Sequence, residues 1–158
     1  MFKVGIGYDS HRLAKGRKLI LGGVEISHDW GLAGHSDADV LTHAVCDALL
    51  GALGKGDIGK HFPDTDEQYR GIASLELLKQ VNNLIRGEGF DVVNVDAVII
   101  AEKPKLTDYR QDMQSNMASE LGIEKEAVNI KATTNEGLGA IGREEGIAAQ
   151  AVVLISKK

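Results

Sequence analysis

The sequence predicts an α/β fold of the α+β kind: a mixed β-sheet with helices on one face and the other face left for association. Three observations lead there. Stretches with two-residue alternation and stretches with three- and four-residue apolar spacing follow one another as strand, hairpin, helix, helix, strand, helix, strand, strand, which interleaves helices with a sheet. The core must be aliphatic, because 43% of the 158 residues are hydrophobic and only 4% are aromatic. Finally, 19 glycines against 2 prolines mark tight turns, and neither a repeat nor a low-complexity linker divides the chain, so one domain over residues 1–158 is expected. A sheet covered on one side predicts oligomerisation through the other.

At the amino end Phe2, Val4, Ile6 and Tyr8 alternate with Lys3, Gly5, Gly7 and Asp9, a strand whose second face continues to His11. Residues two apart in a strand point the same way, roughly 6.6 Å apart, so Asp9 and His11 can converge on one cation. Lys18 to Ile26 reads as a hairpin turning at Gly22-Gly23, a dipeptide that takes positive φ cheaply. His28 follows in a loop with no partner at ligand spacing and is read as surface.

Ala33 to Leu50, AGHSDADVLTHAVCDALL, is the stretch richest in chemistry. Read as a helix, it opens at Ser36 and Asp37, good N-cap types, and runs on a stripe of Leu41, Ala44, Val45, Ala48, Leu49, Ala52 and Leu53. Asp39, His43 and Asp47 lie four apart on another face. A histidine flanked by carboxylates one turn either way suits a metal ligand whose second ring nitrogen is oriented by an acid. A half-exposed histidine screened by its neighbours gives the same pattern. Adding His43 to Asp9 and His11 makes a carboxylate and two imidazoles, donors that suit zinc and leave a coordination position open, as in catalytic sites. The single Cys46 fits a reducing compartment and reads as a small core residue.

Gly51 to Tyr69 is a long glycine-punctuated loop carrying Asp57, Gly59, Phe62, Pro63, Asp64, Thr65 and Asp66. Such loops are more often functional than not, and these carboxylates suit sugar-like hydroxyls or a divalent ion, although Asp and Gly also simply make turns. His61 reads as a bystander. Ser74 to Arg86 forms a helix on Leu75, Leu77, Leu78, Val81, Leu84 and Ile85, with Gly87 to end it. Phe90 to Ala101 is a β-branched scaffold strand running into Ala101, Glu102, Lys103, Pro104, Lys105, Leu106 and Thr107, whose two lysines suit a base or phosphate or mere solvation. The next helix turns Tyr109, Met113, Met117 and Leu121 to the core and closes at Gly122. Val128, Ile130 and Ala132 begin a strand ending at Thr133, Thr134, Asn135 and Glu136, and GLGAIGREEG leads into the last strand, Ile147 to Ile155. Hydroxyls, an acid and Arg143 around glycine backbone fit a phosphate contact and equally a polar hairpin loop.

A net charge of −5, from 18 Lys+Arg against 23 Asp+Glu, supplies no field to attract nucleic acid or an anionic membrane. The opening MFKVGIGYDS lacks a signal peptide's apolar run, and no stretch approaches the roughly 20 apolar residues of a membrane span, so a cytoplasmic protein is expected. An anionic ligand would have to be met locally, by metal ions, a few cations and backbone N–H groups. The residues alone describe a metal-dependent enzyme on a phosphorylated substrate. A zinc phosphohydrolase and a non-catalytic trimeric binding module are the competing readings.

The segments GYDSHRL, GHSDADVLTHAVCDALLGALGKGDIGKHFPDTD, AEKPKL, VNIKATTNEGLG and GREEGIAAQAV closely resemble the 2-C-methyl-D-erythritol 2,4-cyclodiphosphate synthase family, in its motif order and over nearly the whole chain. The resemblance implies a cytosolic homotrimer with active sites between subunits, a phosphorus–oxygen lyase of the non-mevalonate isoprenoid route. Its substrate would be 4-diphosphocytidyl-2-C-methyl-D-erythritol 2-phosphate, and its products the cyclic diphosphate and CMP. Carried over, the zinc ligands fall on Asp9, His11 and His43, one ion per subunit. His35 and Ser36 match the phosphate-contacting pair, and His35 and Thr134 match the transition-state stabilisers. Asp57, Ile58 and Gly59 with Phe62, Pro63, Asp64, Thr65 and Asp66 match the methylerythritol side. Ala101 to Thr107 and Thr133 to Glu136 match the cytidine and diphosphate side. Glu136 matches the ligand of a second ion, magnesium or manganese, bridging the diphosphate, and Arg143 a phosphate-binding arginine. Two positions depart: Gly137 stands where many members carry lysine, removing a cation near the nucleotide phosphates, and Ala140 stands where an aromatic is usual, shortening an apolar contact near the trimer axis.

Overall fold

The computed structural model describes residues Met1–Lys158. Along the chain run β1 (Phe2–Lys15), β2 (Leu19–Leu21), β3 (Val24–Ile26), β4 (Trp30–Leu32), α1 (Val40–Leu53), the one-turn α2 (Ile58–His61), α3 (Ser74–Gly87), β5 (Phe90–Ile100), α4 (Arg110–Leu121), β6 (Val128–Thr133), the one-turn α5 (Gly139–Gly142) and β7 (Gly146–Lys157). Every long element expected from periodicity is present. The additions, β4, α2 and α5, are each too short to carry a periodic signal.

Five strands form one mixed sheet in the order β4-β1-β7-β5-β6, with β2 and β3 a separate ribbon. The β5–β6 pair is parallel and the other pairs are antiparallel. Helix α1 lies across β1 and β7, α3 packs on α1, and α4 packs on α3 and β6, so the long helices share one face. Between them and the sheet lies the aliphatic core, including Leu41, Leu49, Ile99, Met113, Met117, Leu121 and Val153, and Cys46 is buried within it. The ribbon turns at Gly22 and Gly23, with φ of 56° and 72°. No helix is long and apolar enough to cross a membrane.

The opposite face of the sheet carries no helix. Phe2, Val4, Ile6 and Tyr8 on β1 are 60–69% exposed there, and Val152 on β7 is exposed beside them. In β1, therefore, the apolar residues point away from the core, and the glycine-bearing face points into it. The reason is the helix. A β-carbon on Gly5 would fall well inside van der Waals contact of the Ala48 carbonyl oxygen, and one on Gly7 inside that of Ala44, so only glycine lets α1 lie this close to the strand.

The start of α1 also differs from the expected Ser36–Asp37. Ala38 takes a left-handed φ of 58°, which a helix cannot contain, and the N-cap is Asp39. Its buried carboxylate accepts from Thr42 N at 3.0 Å and also from Gly22 N at 2.9 Å and Gly23 N at 2.8 Å. One side chain thus caps the helix and ties the glycine turn of the ribbon to it.

Candidate functional site

Three donors meet where β1 passes under α1. Asp9 and His11, on the helix-facing side of β1, converge with His43 in the first turn of α1, one ligand atom from each lying within 4.8 Å of the others. Asp9 Oδ2 is 2.8 Å from His11 Nε2 and 3.1 Å from His43 Nδ1, and the two imidazole nitrogens are 3.3 Å apart. Spacing along β1 supplies the first pair, and the glycine face that seats α1 supplies the third.

Counting hydrogens fixes what these atoms present to one another. His11 Nδ1 lies 2.8 Å from the Ala33 carbonyl, which only accepts, so Nδ1 carries a proton and the neutral ring turns a lone pair at Nε2 toward Asp9. His43 Nε2 is 2.8 Å from Ser74 Oγ, whose own hydrogen goes to the Asp37 carboxylate, so Nε2–H donates and Nδ1 turns a lone pair inward. Ser36 Oγ stands 3.2 Å from the same Nε2. Three lone pairs facing one another require a cation between them. Without a metal, a proton serves: burial works against a charged His11, but the Asp9 carboxylate and the Ala33 carbonyl outweigh it and raise its pKa above 6.5. Burial likewise opposes the charge on Asp9, yet the protonated His11 that donates to it, with the His43 imidazole beside it, holds its pKa down at about 2.

The acids expected to orient His43 do other work. Asp39 is the cap described above, and Asp47 accepts from Ile58 N at 2.7 Å, tying the loop after α1 to the helix. Burial, with Asp57 and Asp9 nearby, outweighs that hydrogen bond and raises the Asp47 pKa. Orientation of His43 comes instead from Ser74 and Asp37. Sequence reading took Ser74 only for a helix start and Asp37 for a cap, since nothing in the spacing shows that the starts of α1 and α3 face each other.

The triad opens on a cleft of about 400 Å³ lined also by Gly34, His35, Ser36, Ile58, Gly59, Phe62, Pro63, Asp64, Tyr69, Ile72 and Leu77. His35 Nε2 donates to the Asp66 carbonyl at 3.0 Å, and Arg17 donates to the carbonyls on either side of it, Gly34 at 3.2 Å and Ser36 at 3.0 Å. Asp57 caps α2 through Lys60 N at 3.0 Å, and Asp66 caps the turn Glu67–Tyr69. Asp57, Thr65 and the Asp66 side chain thus lie outside the cleft wall, while Ile58, Gly59 and Phe62 to Asp64 form part of it. Tyr69, Ile72 and Leu77 are lining residues that sequence reading missed. His61 bonds the Lys55 carbonyl and takes no part.

A second cluster gathers the remaining candidates elsewhere. Ala101 N donates to the Thr133 carbonyl at 2.9 Å, and Glu102 Oε1 accepts from Asn135 N at 2.7 Å, joining the loop after β5 to the one after β6. Thr133, Thr134, Asn135, Glu136, Lys103, Lys105 and Thr107 are exposed around this junction, whereas Ala101 and Leu106 turn into the core and Glu102 and Pro104 are half-buried. Glu136 sits at a left-handed φ of 52°. Arg143 pairs with Glu145 at 2.9 Å, and Lys103 with Glu144 at 3.2 Å. The two clusters do not meet. Ser10, Ala148, Ile100 and Thr133 form one register row across β1, β7, β5 and β6, and Asp9, Ala149, Ile99 and Ala132 form the next. Adjacent rows point to opposite faces, so Thr133 lies three strand spacings, roughly 14 Å, from the triad strand and on the other face of the sheet.

The model of the YgbB family matches residues 2–156. A 2-C-methyl-D-erythritol 2,4-cyclodiphosphate synthase of Alkaliphilus metalliredigens is 60% identical over 155 residues, covering 98% of each chain. Among solved structures, the Plasmodium falciparum IspF in complex with CDP superposes with a TM-score of 0.87 at 34% identity, over 99% of this chain and 97% of that one. The bifunctional IspDF from Campylobacter jejuni superposes with a TM-score of 0.96 at 45% identity, over 100% of this chain and 43% of that longer one.

Proposed function

The chain belongs to the YgbB family, and on that premise we propose that it converts 4-diphosphocytidyl-2-C-methyl-D-erythritol 2-phosphate to 2-C-methyl-D-erythritol 2,4-cyclodiphosphate and CMP, a phosphorus–oxygen lyase reaction of isoprenoid precursor synthesis. The observation that carries the reading is the inward set of three lone pairs at Asp9, His11 and His43, which a divalent cation satisfies. Two imidazoles and a carboxylate suit zinc, one ion per subunit, with a position left for substrate. Bound there, the ion supplies Lewis-acid neutralisation of charge on the transferring phosphoryl group.

An oxygen of the 2-phosphate attacks the β-phosphorus in line, the bond from that phosphorus to the bridging oxygen breaks, and CMP departs. The attacking oxygen is already anionic at neutral pH, so the chain needs no nucleophile of its own and no strong base. Its residues hold the two reacting groups together and exclude water. His35, anchored by the Asp66 carbonyl, and Ser36 contact phosphate at the triad. Ile58, Gly59, Phe62, Pro63 and Asp64 wall the methylerythritol, with Asp57 and Asp66 holding that wall in shape and Thr65 between Asp64 and Asp66 on the same loop. Ala101 to Thr107 and Thr133 to Asn135 take the cytidine and diphosphate, with Thr134 and His35 stabilising the transition state and Arg143 gripping phosphate. Glu136 would hold a magnesium or manganese ion, which would supply charge neutralisation of the diphosphate. The CDP-bound relative supports a cytidine diphosphate handle.

In this proposal the working unit is a homotrimer of one-domain subunits in the cytoplasm. The separation of the two clusters by three strands, with Thr133 on the other face from Asp9, supports it, because one chain cannot close its own nucleotide cluster over its own triad and a neighbouring copy can supply that half. Phosphorus NMR of the protein with substrate and magnesium, beside a His43→Ala control, tests the reaction. Cyclic diphosphate and CMP should appear together, and only with the intact triad. An open-chain phosphate with CMP would replace the reading with hydrolysis, and unchanged substrate in metal-replete protein would replace it with a binding module.

A further inference from the structure

We propose that Ser74, backed by Asp37, is the positioning residue that locks His43 into the tautomer and orientation a metal needs; the metal in this statement rests on the function proposed above. Ser74 is the first residue of α3 and fully buried. Its Oγ accepts from His43 Nε2 at 2.8 Å and donates to Asp37 Oδ1. The Asp37 carboxylate is itself pinned, accepting from Ser74 N at 3.0 Å and Asp39 N at 3.1 Å. This arrangement leaves the serine no freedom. Since a carboxylate has no hydrogen to give, the hydroxyl hydrogen is committed to it, and the hydroxyl oxygen can only receive from the ring. The Nε2–H tautomer follows, with the Nδ1 lone pair toward Asp9 and His11.

A hydrogen-bonded partner on the far nitrogen also raises the basicity of the ligating one, and losing such a partner lowers metal affinity by about 10- to 100-fold. Ser36 Oγ, 3.2 Å from Nε2, does not substitute, because it is turned to Ala38 N and has no carboxylate behind it. No signal along the chain points to Ser74, which lies 31 residues from His43. Only the meeting of two helix starts brings it there.

The test compares wild type with Ser74→Ala, Ser74→Thr and Asp37→Asn in two measurements. Imidazole ¹⁵N spectra of the metal-free proteins report the His43 tautomer, and competition with a chromophoric chelator reports the zinc dissociation constant. Ser74→Ala should lose the fixed Nε2–H tautomer and bind zinc about 10- to 100-fold more weakly. Ser74→Thr, which keeps the hydroxyl, should restore both, and Asp37→Asn, which keeps an acceptor but not the charge, should fall between. A serine that merely started a helix would move the melting temperature and neither readout. The inference is overturned if Ser74→Ala keeps both the tautomer and the affinity of a wild type that binds zinc. A wild type that takes up no zinc, while Ser74→Ala still loses the tautomer, would overturn the metal reading and support the role of Ser74.

Discussion

Gly7→Ala tests whether the glycine face of β1 sets the distance between the two halves of the triad. The new methyl would overlap the Ala44 carbonyl oxygen and would lie 2.8 Å from Ala48 N, closer than the 3.0 Å at which neighbours must move. Both obstacles are helix backbone, so no rotamer change relieves them, and α1 must retreat from β1 by on the order of 1 Å. Overpacking of this kind costs about 1–3 kcal/mol, here toward the upper end, while stiffening the unfolded chain returns about 0.4–1 kcal/mol. The net loss of about 2 kcal/mol should lower the melting temperature by roughly 4–8 °C in a chain of this size. Metal–ligand distances tolerate only about 0.2 Å, so the same retreat should weaken zinc binding about tenfold or more. Melts should be run metal-free at equal protomer concentration, since ligand and assembly both shift the midpoint. Gly87→Ala is the control: nothing lies within 4 Å of the added carbon, and helix propensity predicts a gain of about 0.5–1 kcal/mol. A Gly7→Ala protein with the melting temperature and zinc affinity of wild type would refute the reasoning.

Other expectations follow from the same contacts. His11 has a folded pKa above its unfolded 6.5, so in the metal-free protein its pairing with Asp9 stabilises fully below pH 6.5 and is lost as pH rises through the folded value. Zinc runs the opposite way, displacing that proton, so its affinity should fall about tenfold per pH unit below the His11 pKa; a pH-independent dissociation constant from pH 5 to 8 would contradict this. Asp47→Asn should leave zinc affinity unchanged and raise KM, because Asp47 fixes Ile58 in the cleft wall and touches neither the metal ligands nor the reacting groups; a lost metal would return it to the role of orienting His43. Ile6→Asp places a charge on the bare sheet face, where burying the native isoleucine would contribute about 1.5–3 kcal/mol, and sedimentation should show the proposed assembly dissociating while secondary structure persists.

The triad was legible because each half obeys a local rule. Two-residue spacing put Asp9 and His11 on one side of a strand, and the donor types asked for a third ligand of the His43 kind. What stayed hidden was set by contacts across the fold. The helix start moved from Ser36 to Asp39 because Asp39 serves two backbones at once, the first turn of α1 and the Gly22-Gly23 turn, and no window along the chain contains both. Asp47 looked like a partner of His43 by helical spacing, yet the Ile58 amide that opens α2, eleven residues on, claims it. The mixed sheet with helices on one face was legible because strands and helices long enough to show a period were all found, and the elements missed are single turns or three residues long.

Strand β1 is where the pattern was most open to misreading, and its inversion joins two properties of the protein. An alternating strand is ordinarily oriented by burying its apolar side. Here the inner positions are Gly5 and Gly7, which bury almost no side chain, so the strand gains little hydrophobic stabilisation from its own core. Its outer positions, Phe2, Val4, Ile6 and Tyr8, hold that stabilisation in reserve until another surface covers them. The close seat of α1, which brings His43 to Asp9 and His11, therefore comes with an apolar face that favours association. Larger residues inside would collide with the backbone of α1, push the helix away and part the triad. The proposed metal site and the proposed assembly surface are in this sense two sides of one strand, and a substitution at Gly5 or Gly7 should cost the subunit both stability and the site.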